Sequence, residues 1–157
     1  MLLKYLSCFF ISMVPLVELR LAVPMAVSMG LSYWPSLVVC VIGNLLPVPF
    51  IYFFARSVLE WGKDKKYIGS FFSWCLRKGE SGGHKLTQRA GRTGSFLALM
   101  LFVGIPLPGT GAWTGTLAAS FLDMGIKTTS LAVSSGVVLA GIIMGVVSLT
   151  GVHVFGL

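Results

Sequence analysis

The chain has 157 residues, 55% of them hydrophobic and 11% charged, with a mean hydropathy of +0.88. Such a composition excludes an ordinary soluble globular domain and identifies an integral membrane protein. The formal net charge is +7, but nine cations and three acids lie between Arg56 and Arg92. With no recognition motif beside it, that basic excess marks a cytoplasmic loop of a multi-pass protein and excludes nucleic acid as a partner.

The N-terminus, MLLKYLSCFFISMVP, has the cation and apolar run of a signal peptide but no A-x-A cleavage site, and is expected to be retained. The apolar run from Tyr5 to Val17 is too short to cross, since a spanning helix needs ~20 residues for ~30 Å of hydrocarbon. Continuing it to Trp34 would bring Glu18, Arg20 and Pro24 into its middle. Residues 3–34 are therefore expected to form two short helices meeting at a break, a re-entrant hairpin. The alternative is one kinked span over residues 5–34, which would put the N-terminus inside.

Residues 36–55 are long enough to cross once, with Asn44, Pro47 and Pro49 as sites of a kink. Residues 56–92 form the basic loop, in which FFSWCLRK suggests a short interfacial amphipathic helix and GESGGH a turn. Residues 93–125 make a second apolar segment, broken at Pro106 to Gly111, and residues 128–155 a final span. The fold class expected is an all-α membrane protein in which an inverted repeat of two units, each a re-entrant hairpin plus one transmembrane helix, flanks the basic loop. By eye, SMGLSYWPSLVV in the first half aligns with DMGIKTTSLAV in the second. One spanning helix per half makes the second enter from the opposite side, as in transporters with sites at the midplane.

The second break places loop-forming residues where hydrocarbon should be. Non-helical backbone at that depth is tolerated only inside protein or around a wet cavity. Pro106 and Pro108 remove two amide donors, Gly109 and Gly111 allow positive φ, and the helix beginning after them would point free amides into the cavity. Those amides and the positive end of the helix dipole suit an anion, supplemented by the hydroxyls of Thr110 and Thr114 and the indole of Trp113. The other reading is a packing face, since Gly111, Gly115 and Ala119 form a ladder of small residues.

Glu18 and Arg20 form the other constellation, flanked by Pro15 and Pro24. An ionisable side chain near the bilayer centre costs at least ~2.5 kcal/mol, which points to function. Desolvation and the neighbouring guanidinium act on Glu18 in opposite directions, a balance suited to proton exchange; a structural ion pair tying the hairpin tip to the opposite repeat is the alternative. Arg20 matches the geometry of a carboxylate or phosphate on a ligand. Asp123 is expected at an interface, paired with Lys127, and Asn44 as a buried polar contact between the halves. Cys8, Cys40 and Cys75 read as small apolar residues, and no metal or cofactor site is expected. Gly141 and Gly145 suggest close helix contact or dimerisation, and a homo-oligomer is expected.

VELRLAVP, residues 17–24, and FVGIPLPGTGAWTGTLAA, residues 102–119, resemble the bacterial family of small multidrug export proteins. That family is similar to the DedA superfamily, whose members have two opposed re-entrant loops and include lipid scramblases and translocases of polyprenyl-phosphate carrier lipid. The resemblance implies that Glu18 with Pro24 matches the acidic residue and proline of the first DedA loop. The second DedA loop carries arginines on either side of a proline, whereas Pro106 follows Gly104 and Ile105 and has no arginine in the next turn; Gly91 and Arg92 match its glycine-containing approach. A non-enzymatic transporter in the bacterial cytoplasmic membrane follows as the expectation. It would move an amphiphilic, anionic substrate or membrane lipid, with proton coupling through Glu18 as the simplest drive. The alternatives are a polyprenyl-pyrophosphate phosphatase-like enzyme and a non-transporting assembly partner.

Overall fold

The computed structural model describes residues 1–15, 17–65, 69–107 and 110–155, without the side chains of 59, 71–72, 75–76, 78–87 and 151–155. Its regular structure is helical throughout the described residues: α1 (Leu2–Met13), α2 (Glu18–Ser28), α3 (Tyr33–Leu45), α4 (Val48–Lys63), α5 (Gly69–Gly104), α6 (Ala112–Phe121) and α7 (Ile126–Phe155). Two stretches are long and apolar enough to cross a membrane, Tyr33–Lys63 and Ile126–Thr150. The first is α3 and α4 joined at Leu46 and Pro47, where proline supplies no amide for the helical ladder. By contrast α1, α2 and α6 have 12, 11 and 10 residues, so each reaches less than ~20 Å at 1.5 Å per residue.

Two expectations for the basic segment are corrected. The helix does not end at Arg56 but continues to Lys63, where Arg56 and Glu60 pair at i, i+4 across 3.1 Å. GESGGH is helix within α5, not a turn. Glycine weakens a helix but, unlike proline, keeps its amide in the ladder. The interruption in α5 falls instead at Gly91, with φ 66° and ψ −179°.

The same local geometry occurs twice, displaced by 93 residues. The α2 C-terminus closes through Met29 N–H to Met25 O, Gly30 N–H to Val27 O and Leu31 N–H to Ala26 O. The α6 C-terminus closes through Leu122 to Ala118, Asp123 to Ser120 and Met124 to Ala119. The donor numbers differ by 122 − 29, 123 − 30 and 124 − 31, each 93. The bond from the residue after the left-handed position back to the last full turn is a Schellman closure, with Gly30 at φ 73° in one copy and Asp123 at φ 54° in the other. The alignment read by eye, which set Met29 against Met124, is therefore two residues out of register. A close glycine recurs with the same displacement (136 − 43 = 93), although the carbonyls the two glycines meet are 91 residues apart (100 − 9 = 91). Gly43 of α3 lies so close to α1 that a Cβ would meet the Phe9 carbonyl at 2.5 Å, and Gly136 of α7 so close to α5 that one would meet the Met100 carbonyl at 2.6 Å.

The core is made of small and medium side chains, among them Cys8, Ala22, Val23, Ala26, Cys40, Val103, Ala112, Ala119, Ala132, Val133 and Val137. Small residues let helix backbones approach where no hydrophobic gain separates protein from lipid. Cys8 and Cys40 are free thiols. Large apolar residues such as Trp34, Phe50, Phe54 and Leu131 are exposed, as a lipid-facing surface requires. Gly141 and Gly145, read as a possible dimer face, are used within the chain: Gly141 abuts Leu37 and Leu19, Gly145 abuts the ring of Tyr33, and Tyr33 Oη donates to Gly141 O at 3.1 Å.

Candidate functional site

The two breaks meet. The end of α1, Pro15 and the start of α2 face the described residues between α5 and α6, around a cavity of about 370 Å³. Seven residues singled out from the sequence line it: Pro15, Glu18 and Arg20 from the first break, and Pro106, Thr110, Trp113 and Thr114 from the second. Leu21, Leu107 and Leu117 complete the lining and were missed. Leu21 and Leu117 were legible in principle, since they lie one helical turn beyond Glu18 and beyond Trp113 or Thr114.

Glu18 opens α2 with φ 49° and is only 4% exposed. Its carboxylate accepts from two successive backbone amides at the start of α6, Ala112 N–H at 3.3 Å and Trp113 N–H at 3.1 Å. The expectation of free amides facing a cavity is thus corrected. The positive end of α6 is occupied by an anion, and that anion belongs to the chain. Gly111 makes the approach possible: its φ of 140° and ψ of −173° are open essentially to glycine alone, and a Cβ there would overlap the Glu18 carboxylate.

Arg20 serves the other side of the same break. Its Nη1 donates to Leu107 O, and its Nη2 to Ile105 O at 3.3 Å and Thr110 Oγ1 at 2.5 Å. These carbonyls follow the C-terminus of α5, the negative end of that helix. The sequence ELR therefore sets opposite charges two residues apart, and the α5–α6 break answers with opposite dipole ends. Among the described residues Glu18 and Arg20 form no ion pair with each other; the tie to the other half of the chain that the structural reading expected is made, but each side chain makes it through backbone groups there.

Trp113 Nε1 donates to Met13 O at 3.1 Å, so the indole ties α6 to the end of α1 instead of supplying a free donor to the cavity. Thr110 Oγ1 lies 2.9 Å from both Ile105 O and Leu107 O, and Thr114 Oγ1 lies 3.4 Å from Gly111 O. The small residues of α6 also pack, as the alternative reading required, for a Cβ on Gly115 would press on Val103. Pro24 sits inside α2, where it has no N–H for the Arg20 carbonyl, and is not among the cavity residues. Pro108 and Gly109 lie outside the described residues.

The remaining two candidates are elsewhere. Asn44 is buried, and its Oδ1 has no partner among the described residues. Asp123 stands beyond the opposite end of α6 and pairs with Arg56, not with the Lys127 expected from sequence. That end is further tied by Tyr52 Oη donating to Met124 O at 2.6 Å and Ser120 Oγ donating to Tyr52 O at 3.0 Å.

No curated protein and no solved structure matches the chain. A family profile described as "Putative small multi-drug export protein" matches residues 18–143, a stretch that begins at Glu18 and contains the second break and every residue lining the cavity except Pro15. With two membrane-length helices and a match over most of its length, the chain belongs to that small multi-drug export family of membrane proteins.

Proposed function

We propose that the chain is a transporter, not an enzyme, and that it moves an amphiphilic anion or a lipid headgroup through the cavity between its two breaks. The observation that carries this reading is the reciprocal hold at the cavity, Glu18 on the α6 amides and Arg20 on the carbonyls after α5. A substrate anion has the same chemistry as the Glu18 carboxylate and can replace it on the amides once Glu18 takes up a proton. Proton and anion then exchange at one place, and the coupling needs no further site. Leucine and proline supply the rest of the lining, which suits the apolar part of an amphiphile. The lining offers no nucleophile with an adjacent base, as phosphatase chemistry would need.

In this reading α1–α2 and the α5 leg after Gly91 with α6 are re-entrant hairpins, each followed by one spanning helix, α3–α4 or α7. The displacement of 93 residues and the crossed packing of α2 on α7 and α4 on α6 support an inverted repeat. The basic segment then lies on the cytoplasmic side of the bacterial inner membrane. Kinship with the DedA superfamily gains one point of support: an arginine does stand beside Pro106, but it is Arg20, contributed by the first break.

The test uses protein reconstituted in liposomes with a fluorescently tagged short-chain phosphatidylglycerol and, separately, a medium-chain carboxylate as probes. Wild type is expected to move at least one of them faster when a pH gradient is imposed. Glu18→Gln is expected to remain folded and to lose that acceleration; a gradient response equal to wild type would remove Glu18 from the coupling.

A further inference from the structure

A second cavity, of about 180 Å³, lies apart from the first, between the C-terminal leg of α5 and the outer half of α6. Ala98, Leu99, Phe102, Ala118, Leu122 and Met124 line it. The one hydroxyl in its wall, on Ser95, is turned to its own helix and donates to Gly91 O at 3.0 Å. The groove therefore offers an occupant nothing but apolar contact. Ala98 and Phe102 are exposed, so its mouth opens on the surface that lipid would cover.

The 93-residue displacement shows that this space is particular to one half. Ala118 corresponds to Met25 (118 − 25 = 93), whose large side chain packs against the core. The first half fills this position with a thioether, whereas the second leaves it open behind an alanine. Charge surrounds the open copy. Arg92 is exposed three residues before Ser95 on the same helix, and Lys127 is exposed just beyond Met124. Asp123, next to Met124 in the chain, is already paired with Arg56.

We propose that this groove binds one acyl chain of an anionic phospholipid from the leaflet facing the basic segment, with the lipid phosphate held by Arg92 and Lys127. Apolar burial supplies the hold on the chain, and the cations supply the choice of headgroup. The lipid occupies the flank of α6 opposite the end that meets Glu18, so it is a resident of the scaffold and separate from whatever passes the first cavity.

Native mass spectrometry of the purified protein, offered phosphatidylglycerol or phosphatidylcholine with identical chains, tests the proposal. Wild type is expected to retain one phosphatidylglycerol about 25-fold more strongly than phosphatidylcholine, the effect of two cations at an anionic headgroup. Arg92→Gln is expected to reduce that preference to about fivefold, the effect of Lys127 alone, while keeping lipid bound. Ala98→Tyr with Ala118→Met, which fills the groove with an aromatic ring and the thioether that the first half carries, is expected to lose the retained lipid. Equal retention of the two lipids by wild type, or unchanged retention by the filled variant, would overturn the proposal. Because the filled variant has to fold to be informative, wild type is also labelled with phosphatidylglycerol carrying a photoreactive acyl chain. Labels concentrated on residues 95–102 and 118–124 support the site, and labels spread evenly over exposed residues such as Leu131, Ile142 and Val146 refute it.

Discussion

Residues 18–36 and 111–129 build the same frame from different chemistry. Each starts a short helix at a residue with positive φ, Glu18 at 49° and Gly111 at 140°, and each closes it with the same three hydrogen bonds, at Met29–Leu31 and Leu122–Met124. At the break, however, the first copy supplies charged side chains and the second supplies bare backbone. A repeat with charges in both copies would have faced like against like across the cavity. One with glycine in both would have left dipole ends unmet in hydrocarbon. Divergence between the copies is what lets them satisfy each other.

The largest break in this arrangement is predicted for Gly111→Ala. The added Cβ overlaps the Glu18 carboxylate and the φ is hostile to any side chain, so unfolding in mild detergent should become easier by about 3 kcal/mol. Combining it with Glu18→Ala should reduce that increment to the backbone strain alone, about 1–2 kcal/mol. An undiminished increment would mean that the two residues do not meet.

Glu18→Gln, which leaves one of two buried amides facing a donor, should cost about 2 kcal/mol by the same thermal or denaturant measurement. A neutral result would show that the carboxylate does not hold the amides in the resting protein. Gly30→Ala probes the frame without the charges: at φ 73° it should cost about 1 kcal/mol, with cavity chemistry unchanged.

The smallest effect belongs to Asp123→Asn. Asparagine tolerates the left-handed conformation, and the lost pair with Arg56 has side chains 34% and 50% exposed, so the change should stay below about 0.5 kcal/mol. A loss as large as that of Gly30→Ala would mean that the ion pair, and not the turn, secures this end of α6.

Much of the frame was legible in the chain. The run Ser36 to Ala55 and the final span show their length directly, and Pro106 with Gly111 marks a place where helix cannot continue. GESGGH misled because glycine-rich composition resembles a turn, while the helix there needs only unbroken amides, which glycine retains. The register of the two halves also misled by two residues. The visible Met-Gly pairs attract the eye, but the closure depends on backbone conformation, which Gly30 and Asp123 share and which their side chains do not advertise.

The sequence by itself determined that this is a membrane protein with two spanning stretches, two interruptions, and a charge pair in one of them. Only the tertiary structure decided what those interruptions do for each other. Length, hydropathy and proline act locally, over a turn or a span. A carboxylate or an unpaired carbonyl in apolar surroundings is instead satisfied by whatever lies within about 3 Å. For Glu18 that is the amides of Ala112 and Trp113, and for Arg20 the carbonyls of Ile105 and Leu107, groups that are neighbours only because α2 and α6 pack into one core.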